Sequence, residues 1–177
     1  LEDKKTKLQF IQDINHDNYP LVYSPWEGQP MYNYSAFIYA KDAVNIALTG
    51  QGTLDGQAGD GTPWCWMSRD YMTDYQDDDR TALINMNNNR VPVEERIFGQ
   101  GHFLRPNFIQ VIGCENVLVE GITLVRSPMW EVNPVLCTNV TVRGIHISTK
   151  AANNDGIDPE SSNVKPRGPG NHPAGSI

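Results

Sequence analysis

Three segments of the chain alternate apolar and polar residues in the same order. They are "NIALTG" from Asn45, "NVLVEG" from Asn116 and "NVTVRG" from Asn139. Each reads Asn, apolar, any residue, apolar, any residue, Gly. The second and third run on alike, into "ITLV" and "IHIS". Alternation with a period of two predicts short strands with one buried face. Asn116 and Asn139 are 23 residues apart, as are Gly121 and Gly144, and Cys114 and Cys137. The segments "FIQVIGC" and "EVNPVLC" keep that offset, and Asn163-Val164 follows Asn139-Val140 by 24. Features that share one offset make a repeat, and no stretch of helical period separates its strands. The pattern predicts an all-β solenoid, a parallel β-helix. A leucine-rich repeat has a similar period but needs a leucine ladder that this chain lacks.

In such a solenoid like residues stack about 4.8 Å apart on successive coils. Val117, Val119 and Ile122 are then inward, with Val140, Val142 and Ile145 stacked on them. Asn116 and Asn139 fall at a bend. Two readings stand for them, plain turn chemistry and a ladder of side-chain amides. Cys114 and Cys137 become neighbours and read as buried thiols rather than as a disulfide. The repeat is lost between about 57 and 100. That stretch holds Trp64, Trp66, "DDDR" at 77–80 and "NNN" at 87–89, and reads as a long loop excursion. Its tryptophans can anchor the loop to the solenoid or stack on sugar rings, and anchoring is the commoner use. Asp77, Asp78 and Asp79 read as a solvated charge run. Residues 1–164 thus form a partial β-helix, and 165–177 a Pro/Gly-rich tail.

Charge and cysteine content narrow the classes. The formal net charge is −7 over 177 residues, which argues against a nucleic-acid partner. No apolar run reaches the roughly 18 residues that span a bilayer, so no membrane partner is expected. Three cysteines, without C-x-x-C or His/Cys clusters of zinc spacing, exclude a disulfide scaffold and give no metal site. No cofactor is called for. The chain starts at Leu1 and shows no signal peptide, so it reads as a processed product or a fragment.

The stretch "NNDGIDPESSNV" places carboxylates and asparagines at one strand end. Together with the run from Arg105 to Ile147, "ALTGQGTLDG" (47–56) and "RVPVEERIFGQGHFLRP" (90–106), it resembles glycoside hydrolase family 28, the polygalacturonases and their relatives. The resemblance covers roughly Val22 to Val164, the N-terminal and central portion of such proteins. It implies a right-handed parallel β-helix, here incomplete, a pectic polysaccharide or oligosaccharide partner, and a secreted or periplasmic location. The family motif Asn-Thr-Asp-Gly stands here as Asn153-Asn154-Asp155-Gly156, with Asn in the Thr place. The resemblance implies that Asp155 is a catalytic carboxylate that helps to activate water. It implies that Asn153 orients the site and that Asp158 lines it. Inverting hydrolysis needs a second carboxyl group about 6.5–9.5 Å away, and stacked coils can supply that separation.

The family's downstream Asp-Asp pair and its His-Gly and Arg-Ile-Lys motifs have no match here. After Val164 the chain reads "KPRGPGNHPAGSI", where Pro166 takes an inward Val position and is expected to end the coil. His172 there has Pro rather than Gly beside it, and His102 has no assignable role. The expected function is pectin-type inverting hydrolysis of α-linked galacturonosyl or related bonds, with this chain a truncated, inactive portion. The alternatives are a non-catalytic β-helix that binds acidic polysaccharide and a structural solenoid.

Overall fold

The computed structural model describes residues 1–59, 61, 62, 64, 75–150 and 153–167, the last four by their backbone. The elements are β1 (Lys7–Gln9), β2 (Leu21–Tyr23), β3 (Tyr32–Tyr34), β4 (Ile38–Lys41), β5 (Val44–Thr49) and β6 (Thr53–Asp55). Helix α1 (Asp77–Asn88) and a 3-10 turn (Val93–Glu95) follow. Then come β7 (Ile109–Ile112), β8 (Glu115–Glu120), β9 (Thr123–Val125), β10 (Val132–Val135), β11 (Thr138–Arg143), β12 (His146–Ser148) and β13 (Val164–Arg167).

Apart from the antiparallel pair β2-β3, the strands stack into three faces of one solenoid. Their orders are β1-β6-β9-β12, β10-β7-β4 and β13-β11-β8-β5. Every pairing within these faces is parallel. One coil holds β4, β5 and β6, the next β7, β8 and β9, and the third β10, β11 and β12. Chain returning to the same sheet by a right-handed crossover builds a right-handed parallel β-helix. Register follows the repeat: Val140 pairs with Val117, and Val142 with Val119. These four side chains, with Ile122 and Leu124, are buried in the coil interior. Ile145 is half-buried and packs against the same core. Stacked valines suit this interior because β-branched side chains fill a pleated surface from a fixed rotamer.

The repeated Asn lies near the start of β5, β8 and β11, and the repeated Gly follows each strand's end. Asn45, Asn116 and Asn139 all have positive φ, at 58°, 57° and 54°. Their amides also bond along the solenoid. Asn139 Nδ2 donates to Asn116 Oδ1 at 2.7 Å, and Asn116 Nδ2 to Asn45 Oδ1 at 2.9 Å. Turn and ladder are thus one device. Gly121 sits at φ +77°, and a Cβ there would come within 2.3 Å of the Gly50 carbonyl oxygen. Asn116→Ala loses two amide bonds and strains the left-handed backbone, an expected cost of about 2 kcal/mol. Asn116→Gly loses the bonds without the strain, so urea unfolding should place it between Ala and wild type. A Gly variant as damaged as Ala would remove the backbone part of this account.

Cys114 and Cys137 are free, buried and adjacent, and the Cys114 N–H donates to Cys137 Sγ at 3.3 Å. Trp64 is buried among Tyr19, Tyr34 and Phe37, as an anchor. Trp66 and Cys65 lie outside the described residues, as does His172.

Two expectations are corrected. The excursion is not only loop, since α1 occupies twelve of its residues. The helix was hidden because Leu83 alone is buried in it, which leaves almost no apolar periodicity. Its three aspartates fill the first turn, where the helix dipole favours negative charge. Asp79 is not solvated. It accepts from Phe103 N at 2.6 Å and pairs with His102 Nδ1 at 2.6 Å, so His102 ties α1 to the solenoid. The second correction concerns Pro166. The strand runs through it to Arg167, with Pro166 aligned to Val142 of β11. A missing ladder donor is tolerated in a strand paired on one side, and among the described residues β13 pairs only with β11.

Candidate active site

The loop after β12 enters the fourth coil, and neighbouring coils hold it from beneath. Asn154 Nδ2 donates to the carbonyls of Ser127 (3.2 Å) and Met129 (3.0 Å). The Glu131 N–H donates to the Asp155 carbonyl at 3.0 Å. The Asp158 N–H donates to the Val132 carbonyl at 2.9 Å, and Ile157 bridges to Val132. Asn in the Thr place of the motif therefore has a structural use: it staples the loop to the corner below.

These bonds place the sequence-predicted residues together. Asp155 is exposed, with its backbone held, while Asn153 and Asp158 are half-buried. Asn153 has φ +56°, and its Oδ1 accepts from Arg105 Nη2 at 3.2 Å. Burial raises the Asp158 carboxyl above its ordinary value, and the charge of Asp155 raises it further. A third carboxyl, Glu160, lies on the same coil. Burial raises it first and the charge of Asp158 adds to that, against bonds from Asn133 and the Gly28 N–H.

Below them runs a buried column of amides. Ser24 Oγ donates to Gln110 Oε1 (2.7 Å), and Gln110 Nε2 donates to Asn133 Oδ1 (2.8 Å). Asn133 Nδ2 then donates to the Asp158 carbonyl (2.8 Å) and to Glu160 Oε1 (3.1 Å). Glu160, Arg105, Gln110, Asn133 and Glu131 were not found as site residues by sequence reasoning. The period carried a signal for two of them, because Gln110 and Asn133 share the 23-residue offset and bond to each other on adjacent coils. Among the described residues no group of His, Cys, Asp or Glu is arranged to hold a metal.

The fold and this loop define a class: a parallel β-helix with carboxylates gathered on one face at a coil corner. Residues 17–165 match the family model Glycosyl hydrolases family 28. The chain belongs to that family. It is 26% identical over 131 residues to a Vitis vinifera protein described as a probable polygalacturonase, covering 72% of this chain and 20% of that one. The crystal structure of a hyperthermoactive exopolygalacturonase from Thermotoga maritima is similar at 41% identity and a TM-score of 0.82. That match covers 92% of this chain and 39% of the Thermotoga chain. A polygalacturonase from Erwinia carotovora, at 22% identity and a TM-score of 0.57, shares the fold. The chain thus spans about a fifth and about two fifths of the first two relatives' lengths.

Proposed function

We propose that this chain carries one side of a pectin-type active site, for inverting hydrolysis of α-linked galacturonosyl bonds. Asp155 takes a proton from water as the water oxygen attacks the anomeric carbon. A carboxylic acid across the bond protonates the leaving oxygen. Asn153 and Asp158 line the site and bind substrate. The observation that carries this reading is the motif loop itself. It is pinned by backbone and Asn154 bonds, so that an exposed Asp155 stands beside a half-buried Asp158, whose carboxyl is raised above its ordinary value by burial and by the Asp155 charge. The similarity to the Thermotoga exopolygalacturonase supports a galacturonosyl substrate, and family membership supports a secreted or periplasmic place of action.

On this reading no partner acid stands across the bond among the described residues, and the chain is expected to bind the polymer without cutting it. Reducing-end release from polygalacturonate and from rhamnogalacturonan, beside Asp155→Asn, tests this. The expected result is no release from either protein, with oligogalacturonate bound in preference to a neutral xylan oligosaccharide. Release that vanishes in the Asn variant would place a working acid within these residues. Absence of any galacturonate preference would remove the pectic reading.

A further inference from the structure

We propose that Arg105 is a positioning residue of this site, setting the orientation of the Asn153 amide. The inference rests on the reading of Asn153 given above and deepens it. Arg105 is 1% exposed, an unusual place for a group that is always charged. Its backbone is fixed by Trp26, whose Nε1 donates to the Arg105 carbonyl at 3.0 Å. Its guanidinium spreads over three separate pieces of chain. Nε donates to Gln76 Oε1 at 2.8 Å, beside the start of α1. Nη1 donates to the Pro128 carbonyl at 2.5 Å, at the corner one coil on. Nη2 donates to Asn153 Oδ1 at 3.2 Å, at the next corner.

The consequence follows from donor and acceptor chemistry. A guanidinium has only donors. It therefore selects the oxygen end of the Asn153 amide and leaves the Nδ2 donors for an acceptor. A ligand oxygen meets that requirement, either the carboxylate or a hydroxyl of a uronic acid. The same fork ties the excursion to the loop, so α1 and its Asp79–His102 contact become part of the site's frame. Lysine cannot replace the fork, because a single ammonium does not reproduce the rigid, planar set of donors of a guanidinium.

The test uses the 15N-labelled chain. The Asn153 side-chain amide signals are identified by their loss in Asn153→Asp. In Arg105→Lys they are expected to move, while those of Asn116 and Asn139 stay. Trigalacturonate affinity should fall about tenfold in Arg105→Lys and in Asn153→Ala, and no further in the double variant. An unmoved Asn153 amide in folded Arg105→Lys, or losses that multiply in the double variant, would overturn the proposal. Should Arg105→Lys not fold, the reverse experiment decides. The Arg105 guanidinium signals must move in Asn153→Ala, and unmoved signals overturn the proposal equally. A wild-type chain that binds no trigalacturonate, yet whose amide moves with Arg105, would sustain the positioning role and end the substrate reading instead.

Discussion

Glu131→Gln is expected to stabilise the protein, and to do so more strongly as pH rises. Glu131 is fully buried, one coil beneath Asp155. Neither of its carboxyl oxygens meets a donor at full hydrogen-bond geometry among the described residues. Burial pushes its carboxyl from 4.5 up to about 8, and the nearby Thr149 and Ser127 hydroxyls offset only part of that. The folded state therefore holds a proton that the unfolded chain releases. Folded stability is intact below the unfolded value near 4.5 and is lost as pH rises through about 8. Above that, keeping the carboxylate buried costs about 5 kcal/mol. Glutamine has the same shape without the ionisation. Urea unfolding at pH 4.5, 6.5 and 8.5 should show the variant near wild type at the lowest pH and well above it at the highest. Parallel curves for the two proteins would mean that Glu131 finds a partner or water that neutralises the burial.

The second large effect has the opposite sign and lies at the opposite end of the pH scale. Asp55 closes β6 with a fully buried side chain. Arg126 donates to it through Nε (2.6 Å) and Nη2, Lys7 pairs with it at 2.6 Å, and the Gln57 N–H donates at 3.0 Å. Gln9 Nε2 adds a longer bond at 3.3 Å. Burial alone would raise this carboxyl. The bonds from Arg126, Lys7, Gln57 and Gln9 outweigh it and hold the group well below the usual carboxylate range. One side chain thus joins β1, β6 and the turn after β9. Arg126 and Lys7 are each about half exposed, so they return to water when their partner is lost. That lowers the cost of Asp55→Ala from the 3–5 kcal/mol of a fully buried pair to about 2–4 kcal/mol.

A depressed folded value means that this stability is present above about 3.8 and is lost as pH falls through the folded value. Asp55→Asn should therefore be clearly weaker than wild type at pH 7, with the gap narrowing as pH falls below about 3.8. A gap that stays constant with pH would show the carboxylate charge to be irrelevant there. Amide exchange should also rise in β1 before it rises in β8 or β11, because among the described residues β1 is an edge strand that pairs only with β6.

The two predictions differ in how far they could be foreseen. Asp55 lies in "TLDG", a polar residue at a strand end, but nothing in the sequence joins it to Lys7 or Arg126. Glu131 sits in "MWEVNPV" and reads as an ordinary polar neighbour of a strand. Its burial follows from the corner packing between Ser127 and Thr149.

The coil is written in the amino-acid pattern. Stacked strands must present like residues to like neighbours, so each coil repeats the frame of the last and the repeat is written into every turn. The Asn and Gly at the strand ends, the inward valines, the neighbouring cysteines and the loop that bears Asp155 were all legible for that reason. Which polar groups meet depends on the folded path. Helix α1 carries one buried side chain and so leaves almost no periodic trace. The reach of Arg105 to Gln76, Pro128 and Asn153 depends on where the excursion folds back, which no local pattern records. Stacking repeats at a fixed step along the chain, whereas hydrogen bonds of long side chains form between residues that only the folded path brings within 3 Å.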